Sequence, residues 1–181
     1  MARVAYADKN DADPKTRELL ESWEANGVQV LNLYRVIAKT PEIAKQFMRL
    51  GHRILTKGKL PVKLRELAIL LVGQLAQAPY EFTKHIKIGI AAGLRHEQVE
   101  VLPFWRSAKA YDPAERAVLR FTDEVSRGYR ASDEAFAELK AHLNEEQITE
   151  LAIVIGYYEM VCRVLESLQV ETESEEFKGI S

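Results

Sequence analysis

Glu81 and His85 stand four residues apart at the end of the stretch 66-ELAILLVGQLAQAPYEFTKH-85. On a helix that spacing puts both side chains on one face. A carboxylate beside an imidazole orients the ring and raises its proton affinity. Such an imidazole can exchange a proton with a bound substrate. The same spacing also occurs on inert helices, where two polar groups simply satisfy each other. Glu66 opens the preceding apolar segment. It either reaches the Glu81–His85 pair or acts as a charge at the N-terminus of its own helix, worth about 0.3–1 kcal/mol. The sequence leaves both open. Gly73 either lets two helices approach closely or leaves room for a ligand.

Other polar groups are more scattered. Arg49 and Arg53 flank His52 near a helix end, where a binding patch competes with simple solvation and favourable C-terminal charge. Tyr34, Tyr80, Tyr157 and Tyr158 offer hydroxyls to a pocket or rings to helix packing. Met160 and Cys162 read as core fillers, and His96 and His142 as solvated. Glu66, Glu81 and His85 have donor atoms suited to zinc or manganese, but HxxxH, HExxH and CxxC patterns are absent, so no metal is expected. A glycine-rich phosphate loop, a dinucleotide fingerprint and a nucleophile elbow are also missing, and no cofactor is expected.

The elements that must position these groups read as helices throughout. Asp13 caps a first helix that Pro14 enters and Gly27 ends, with Leu19, Leu20 and Trp23 inward. A short second helix runs to Pro41, and a third carries Ile43, Phe47, Leu50 and Ile54 inward. The segment from Pro61 to Gln77 is apolar on several sides and is therefore central. Pro79 starts the next helix and Gly93 stops it. The short link between them folds the two into an antiparallel pair. A short helix over 96–102 precedes Pro103. Further helices follow at 111–128, at 132–143 behind Ser132 with Ala135, Phe136 and Leu139 as a ridge, and at 144–169. Glu66-Leu67-Ala68-Ile69 recurs as Glu150-Leu151-Ala152-Ile153, which a true repeat and shared composition explain equally well.

Bulk properties narrow the function classes. The 181 residues suit one domain or two small repeats on one core. A formal net charge of −2 carries no sign of a basic stripe, so no nucleic-acid partner is expected. Cys162 is the lone cysteine, which excludes an internal disulfide and fits a reducing compartment. The first residues lack an apolar signal core and no apolar run is long enough to span a bilayer. The expectation is a cytoplasmic protein with no membrane partner. Helices apolar on several sides, at 67–75 and 151–165, favour burial against a partner subunit.

The order of features in 61-PVKLRELAILLVGQLAQAPYEFTKHIKIGIAAGLRHEQVE-100 resembles the carboxymuconolactone decarboxylase and AhpD-like superfamily. It has a RELAIL helix, a Tyr-Glu-aromatic turn into a helix, a histidine, then Ala-Gly-Leu and an acidic helix start. The segments 32-NLYRVIAKTPEIAKQFMRLGHRIL and 146-EQITELAIVIGYYEMVCRVLESL are similar to a long, CxxC-lacking subgroup. The resemblance implies an all-α AhpD-like fold and a homo-oligomer and covers 30–170 as the helical domain; outside it lie 1–29, a helical extension, and 171–181, whose acidic composition reads as a flexible tail. In the family's peroxidase branch a glutamate precedes a CxxC pair and a histidine follows. These positions fall here on Glu66, Ala78, Glu81 and His85. Alanine forms no thiolate and glutamate cannot resolve a disulfide, so the thiol cycle is not expected. The decarboxylase branch, with glutamate at the second cysteine position, matches better. It implies loss of carbon dioxide from a small carboxylated unsaturated lactone. On that reading His85, Glu81 and Glu66 are catalytic, and Arg49, Arg53 and Tyr80 recognise an acidic organic molecule. The same scaffold and Glu–His pair also suit a different proton-transfer enzyme or a non-redox small-molecule binder, and an enzyme requires a concavity open to Glu81 and His85. A purely structural network requires that both be enclosed and partnered.

Overall fold

The computed structural model describes residues 2–173. Within them the chain is all helical: α1 (Pro14–Ala25), α2 (Asn32–Ile37), α3 (Pro41–Lys57), α4 (Val62–Leu75), α5 (Pro79–Ala91), α6 (His96–Glu100), a 3-10 turn (Leu102–Phe104), α7 (Pro113–Gly128), α8 (Asp133–Lys140) and α9 (Glu145–Leu168). Residues 174–181, most of the expected acidic tail, lie outside the described residues.

The helix ends follow local chemistry. The Asp13 carboxylate accepts from the N–H groups of Lys15 and Thr16 at 3.0 and 3.2 Å, with Pro14 at the first position. Asp112 and Glu115 form a reciprocal capping box at α7. Ser132 caps α8, and Asn144 with Gln147 does the same for α9. At the end of α5, Gly93 takes φ +99° and the Leu94 N–H reaches back to the Gly89 carbonyl at 2.9 Å. Leu94 then lies against α5 so closely that a Cβ on Gly89 would sit 2.8 Å from its Cδ1.

Contacts divide the chain into two compact units, Met1–Leu55 with Leu165–Ser181, and Thr56–Val164. In the first, Leu19, Leu20 and Trp23 of α1, Leu33, Val36 and Ile37 of α2, and Ala44 and Phe47 of α3 are buried. The Thr16 hydroxyl donates to the Ala38 carbonyl. Glu171 and Glu173 bond to Tyr6 and Asn32 of the same unit. These units rest on contacts; the expected divisions at 29 and 170 rest on sequence resemblance and are a separate matter.

In the second unit α4 is the axis. Every residue from Leu64 to Gly73 is buried, so all sides of the helix meet protein. It packs on α5 and α7, and α7 on α8. Leu67, Leu70 and Leu71 join Leu94, Leu102, Trp105, Tyr111 and Leu119 in one core. Each such leucine contributes roughly 1.5–3 kcal/mol of burial. A Cβ on Gly73 would lie 3.4 Å from the Phe82 backbone nitrogen, so of its two expected roles close approach of α4 and α5 is the one observed.

Four side chains depart from expectation. Ile43 is 68% exposed and Leu50 44%, because the buried face of α3 is the smaller stripe Ala44, Phe47 and Gly51. Phe136 is exposed beside the buried Ala135 and Leu139. Met160 is also exposed, whereas Cys162 two residues later is buried. In each case an apolar residue falls about 100° off the inward stripe, and composition alone does not separate the two directions.

Candidate functional site

The turn Ala76–Ala78 reverses the chain between α4 and α5, so the beginning of α4 runs beside the middle and end of α5, where a Cβ on Gly89 would lie 3.6 Å from the Glu66 Cβ. Glu66 on α4 then meets Glu81 and His85 on α5. His85 Nδ1 lies 2.6 Å from Glu66 Oε2, and Nε2 lies 2.9 Å from Glu81 Oε1. The imidazole thus bridges two carboxylates, one at each ring nitrogen. Arg65 donates from Nε to Glu66 Oε1 at 2.9 Å, and its terminal nitrogen lies 2.8 Å from the same oxygen. Tyr158 of α9 closes one side, edge to face with the imidazole at 4.9 Å, and Tyr157 packs on Tyr158 in turn.

The electrostatics follow from the count of charges. Arg65 and a protonated His85 balance Glu66 and Glu81, and the cluster is then neutral. Loss of the histidine proton would leave one unbalanced negative charge in a site where Glu66 is fully buried and Glu81 and His85 are each 5% exposed. Burial presses the imidazolium toward its neutral form. The hydrogen bonds to Glu66 and Glu81 and their charges outweigh this and raise His85 from its ordinary 6.5 to about 9. At neutral pH the ring is cationic and donates from both nitrogens. Burial, then the nearby Glu81 and Glu66 charges, push the Tyr158 phenol up and keep it protonated.

The two carboxylates address opposite edges of the ring, so one ion cannot take both carboxylates and a ring nitrogen together. No group of three His, Cys, Asp or Glu among the described residues is arranged to hold a metal ion. Ala78 and Glu81, on which the resemblance places the peroxidase branch's two cysteines, occupy the cap and first turn of α5, while Cys162 is buried on α9.

Of the six residues proposed from sequence, Glu66, Glu81 and His85 are brought together. Tyr80 is buried beside them in the chain, with the Lys84 ammonium 5.6 Å over its ring. Arg49 and Arg53 are exposed on α3 in the other compact unit. Arg49 there lines a separate concavity with His52. Sequence reasoning missed Arg65. Its signal was a second charge next to Glu66 inside a leucine-rich run, where a buried arginine demands a partner. It also missed a second buried cluster. There Glu115 takes Lys63 at 2.5 Å and Gln98 at 2.8 Å, and Tyr111 donates to the Gln98 carbonyl. This cluster ties α4, α6 and α7 together.

Comparison with known proteins bears on the fold that carries these residues. Residues 41–124 match the family model for the carboxymuconolactone decarboxylase family. The uncharacterized protein YdfG of Bacillus subtilis (strain 168) is 25% identical over 94 residues, covering 51% of this chain and 64% of that relative, which is less than two thirds of its length. The AhpD core of an uncharacterized peroxidase-related protein from Ralstonia eutropha JMP134 superposes with a TM-score of 0.79 at 19% identity, covering 97% of this chain and 94% of the other. A variant of the debrominase Bmp8, solved with 2,3,4-tribromopyrrole, gives 0.78 at 21% identity, covering 98% and 96%. At these identities the structural likeness speaks for the fold. Residues 41–124 therefore match the carboxymuconolactone decarboxylase family model, and the likeness to the solved structures shows an all-helical AhpD-like fold.

Proposed function

We propose that the chain is a thiol-independent lyase that decarboxylates a small carboxylated unsaturated lactone by proton transfer at His85. The observation that carries this reading is the imidazolium held between two carboxylates at 2.6 and 2.9 Å. In the reaction the bond between the ring carbon and its carboxylate breaks, and carbon dioxide leaves. The electron pair enters the conjugated lactone, where charge accumulates toward the carbonyl. His85 supplies the proton that quenches the resulting carbanion, and solvent restores it, so one proton is consumed per turnover. Glu66 and Glu81 fix the direction of both N–H bonds, and Arg65 holds Glu66 in place. Glu81, at the first turn of α5, orients the ring nitrogen that faces it.

The test is an ultraviolet assay of the purified protein with γ-carboxymuconolactone beside His85→Gln, each checked for folding. The reading expects loss of lactone absorbance with release of carbon dioxide, and a drop of at least about 100-fold in the variant. Cys162→Ser should retain activity. A folded wild type that leaves the lactone untouched removes this assignment.

A second reading meets the condition stated for a structural network, because both ring nitrogens are paired with carboxylates and Glu81 and His85 are each only 5% exposed. On that reading the cluster is a structural network between α4, α5 and α9. It expects His85→Gln to lower stability without any activity to lose.

We further propose a cytoplasmic homo-oligomer. Support comes from Ile153 and Met160, exposed with Ala152 and Gly156 on α9, and from the lone cysteine. No helix among the described residues is long and apolar enough to cross a membrane. Light scattering on the eluting peak would give the subunit number.

A further inference from the structure

Unit Met1–Leu55 with Leu165–Ser181 holds a concavity of about 440 Å³ between α1 and α3. This is within the size range of small-molecule sites. From α1 it takes Glu18, Leu19, Ser22 and Trp23, which recur at helical spacing and so form one face. From α3 it takes Lys45, Met48, Arg49 and His52, again one face. Trp23 and Leu19 are buried and make an apolar floor, and Trp23 is held by Tyr34 at a ring distance of 5.9 Å. The rim is polar and predominantly cationic.

Two observations give this slot a ligand class. Lys45 and Arg49 repel each other at i,i+4, and among the described residues no carboxylate closes an ion pair with Arg49. Glu18 is the one carboxylate of the lining, against the cations Lys45 and Arg49. Glu42, outside the lining, pairs with Lys45 at 3.4 Å, so Arg49 is the cation of the lining left for a ligand. A ligand carboxylate would give the Arg49 guanidinium a charged partner, and the indole floor accepts a flat apolar body.

We propose that this concavity binds an aromatic monocarboxylate, its ring on Trp23 and its carboxylate on Arg49, with Lys45 and His52 as further donors. The site is separate from the Glu66–Glu81–His85 cluster and does not depend on the catalytic reading, because binding is measured without turnover.

The experiment is calorimetric titration of the full chain with 2-naphthoate and with the uncharged 2-naphthamide, alongside tryptophan emission. The expected result is one naphthoate per chain, with 2-naphthamide at least about tenfold weaker. Arg49→Gln, an exposed substitution that leaves the fold alone, should weaken naphthoate by about tenfold, the usual scale of one charge-assisted hydrogen bond. Lys39→Gln, exposed on the same unit but outside the lining, should leave it unchanged. Trp23→Phe should abolish the emission change. Any of three results overturns the proposal: no saturable binding at millimolar naphthoate, equal affinity for the amide, or an affinity indifferent to Arg49→Gln. Persistence of the emission change in Trp23→Phe would place the ligand elsewhere and overturn it too.

Discussion

The tetrapeptide Glu-Leu-Ala-Ile occurs on α4 at 66–69 and on α9 at 150–153, and the two copies have opposite fates. On α4 all four residues are buried, and Glu66 holds Arg65 and His85. On α9 only the leucine is buried. Ala152 faces solvent and Ile153 is 48% exposed. Glu150 is half-buried and turns to the backbone, where its carboxylate accepts from the Lys59 and Leu60 N–H groups at 2.6–2.8 Å. One glutamate is surrounded by protein and must be neutralised by charges. The other keeps water and serves as a cap for a neighbouring turn. A carboxylate's role thus follows from how many sides of its helix are covered.

The contrast can be broken at several points. Glu66→Ala should have the largest effect, a loss of about 3–5 kcal/mol, because it leaves the buried Arg65 and His85 cations short of a partner. Urea unfolding measures it, and a loss under 1 kcal/mol would mean that water already reaches the cluster. The pH dependence comes next. His85 binds its proton more tightly folded than unfolded, so its contribution is fully present below about pH 6.5 and fades as pH rises through about 9. That contribution is of order 3 kcal/mol at most. Wild type should lose stability across that window, and His85→Gln should be flat across it; parallel curves would refute the shift.

Ala68→Leu should cost about 1–3 kcal/mol by overpacking, whereas Ala152→Leu should stay within about 0.5 kcal/mol. Equal costs would show that α9 is covered by a partner subunit at that turn. Glu150→Ala should cost about 1 kcal/mol, the value of a lost cap, and should leave the pH window of His85 in place. A change in that window would couple the two glutamates, which their separate partners argue against.

Much of the fold was legible because helix ends are written in local chemistry. Asp13-Pro14, Asp112-Pro113, Ser132 and Gly93 mark boundaries that depend on residues within one turn of each other. The Glu81–His85 pairing was legible for the same reason. The exposure of Ile43, Leu50, Phe136 and Met160 was not, since an amphipathic pattern names an apolar arc without saying which edge of it the neighbouring helix covers.

An all-helical chain, the places where most helices start and stop, and a carboxylate in step with a histidine on α5 all follow from residues close together along the chain. Only the tertiary structure decided that Glu66 faces the histidine's other nitrogen, that Arg65 balances the charge, and that Arg49 belongs to a different concavity. The physical reason is reach. Caps and i,i+4 pairs are set by a few consecutive residues. The partner of a buried charge is set by which helix faces which, and that emerges only when α4 is enclosed by α5 and α7.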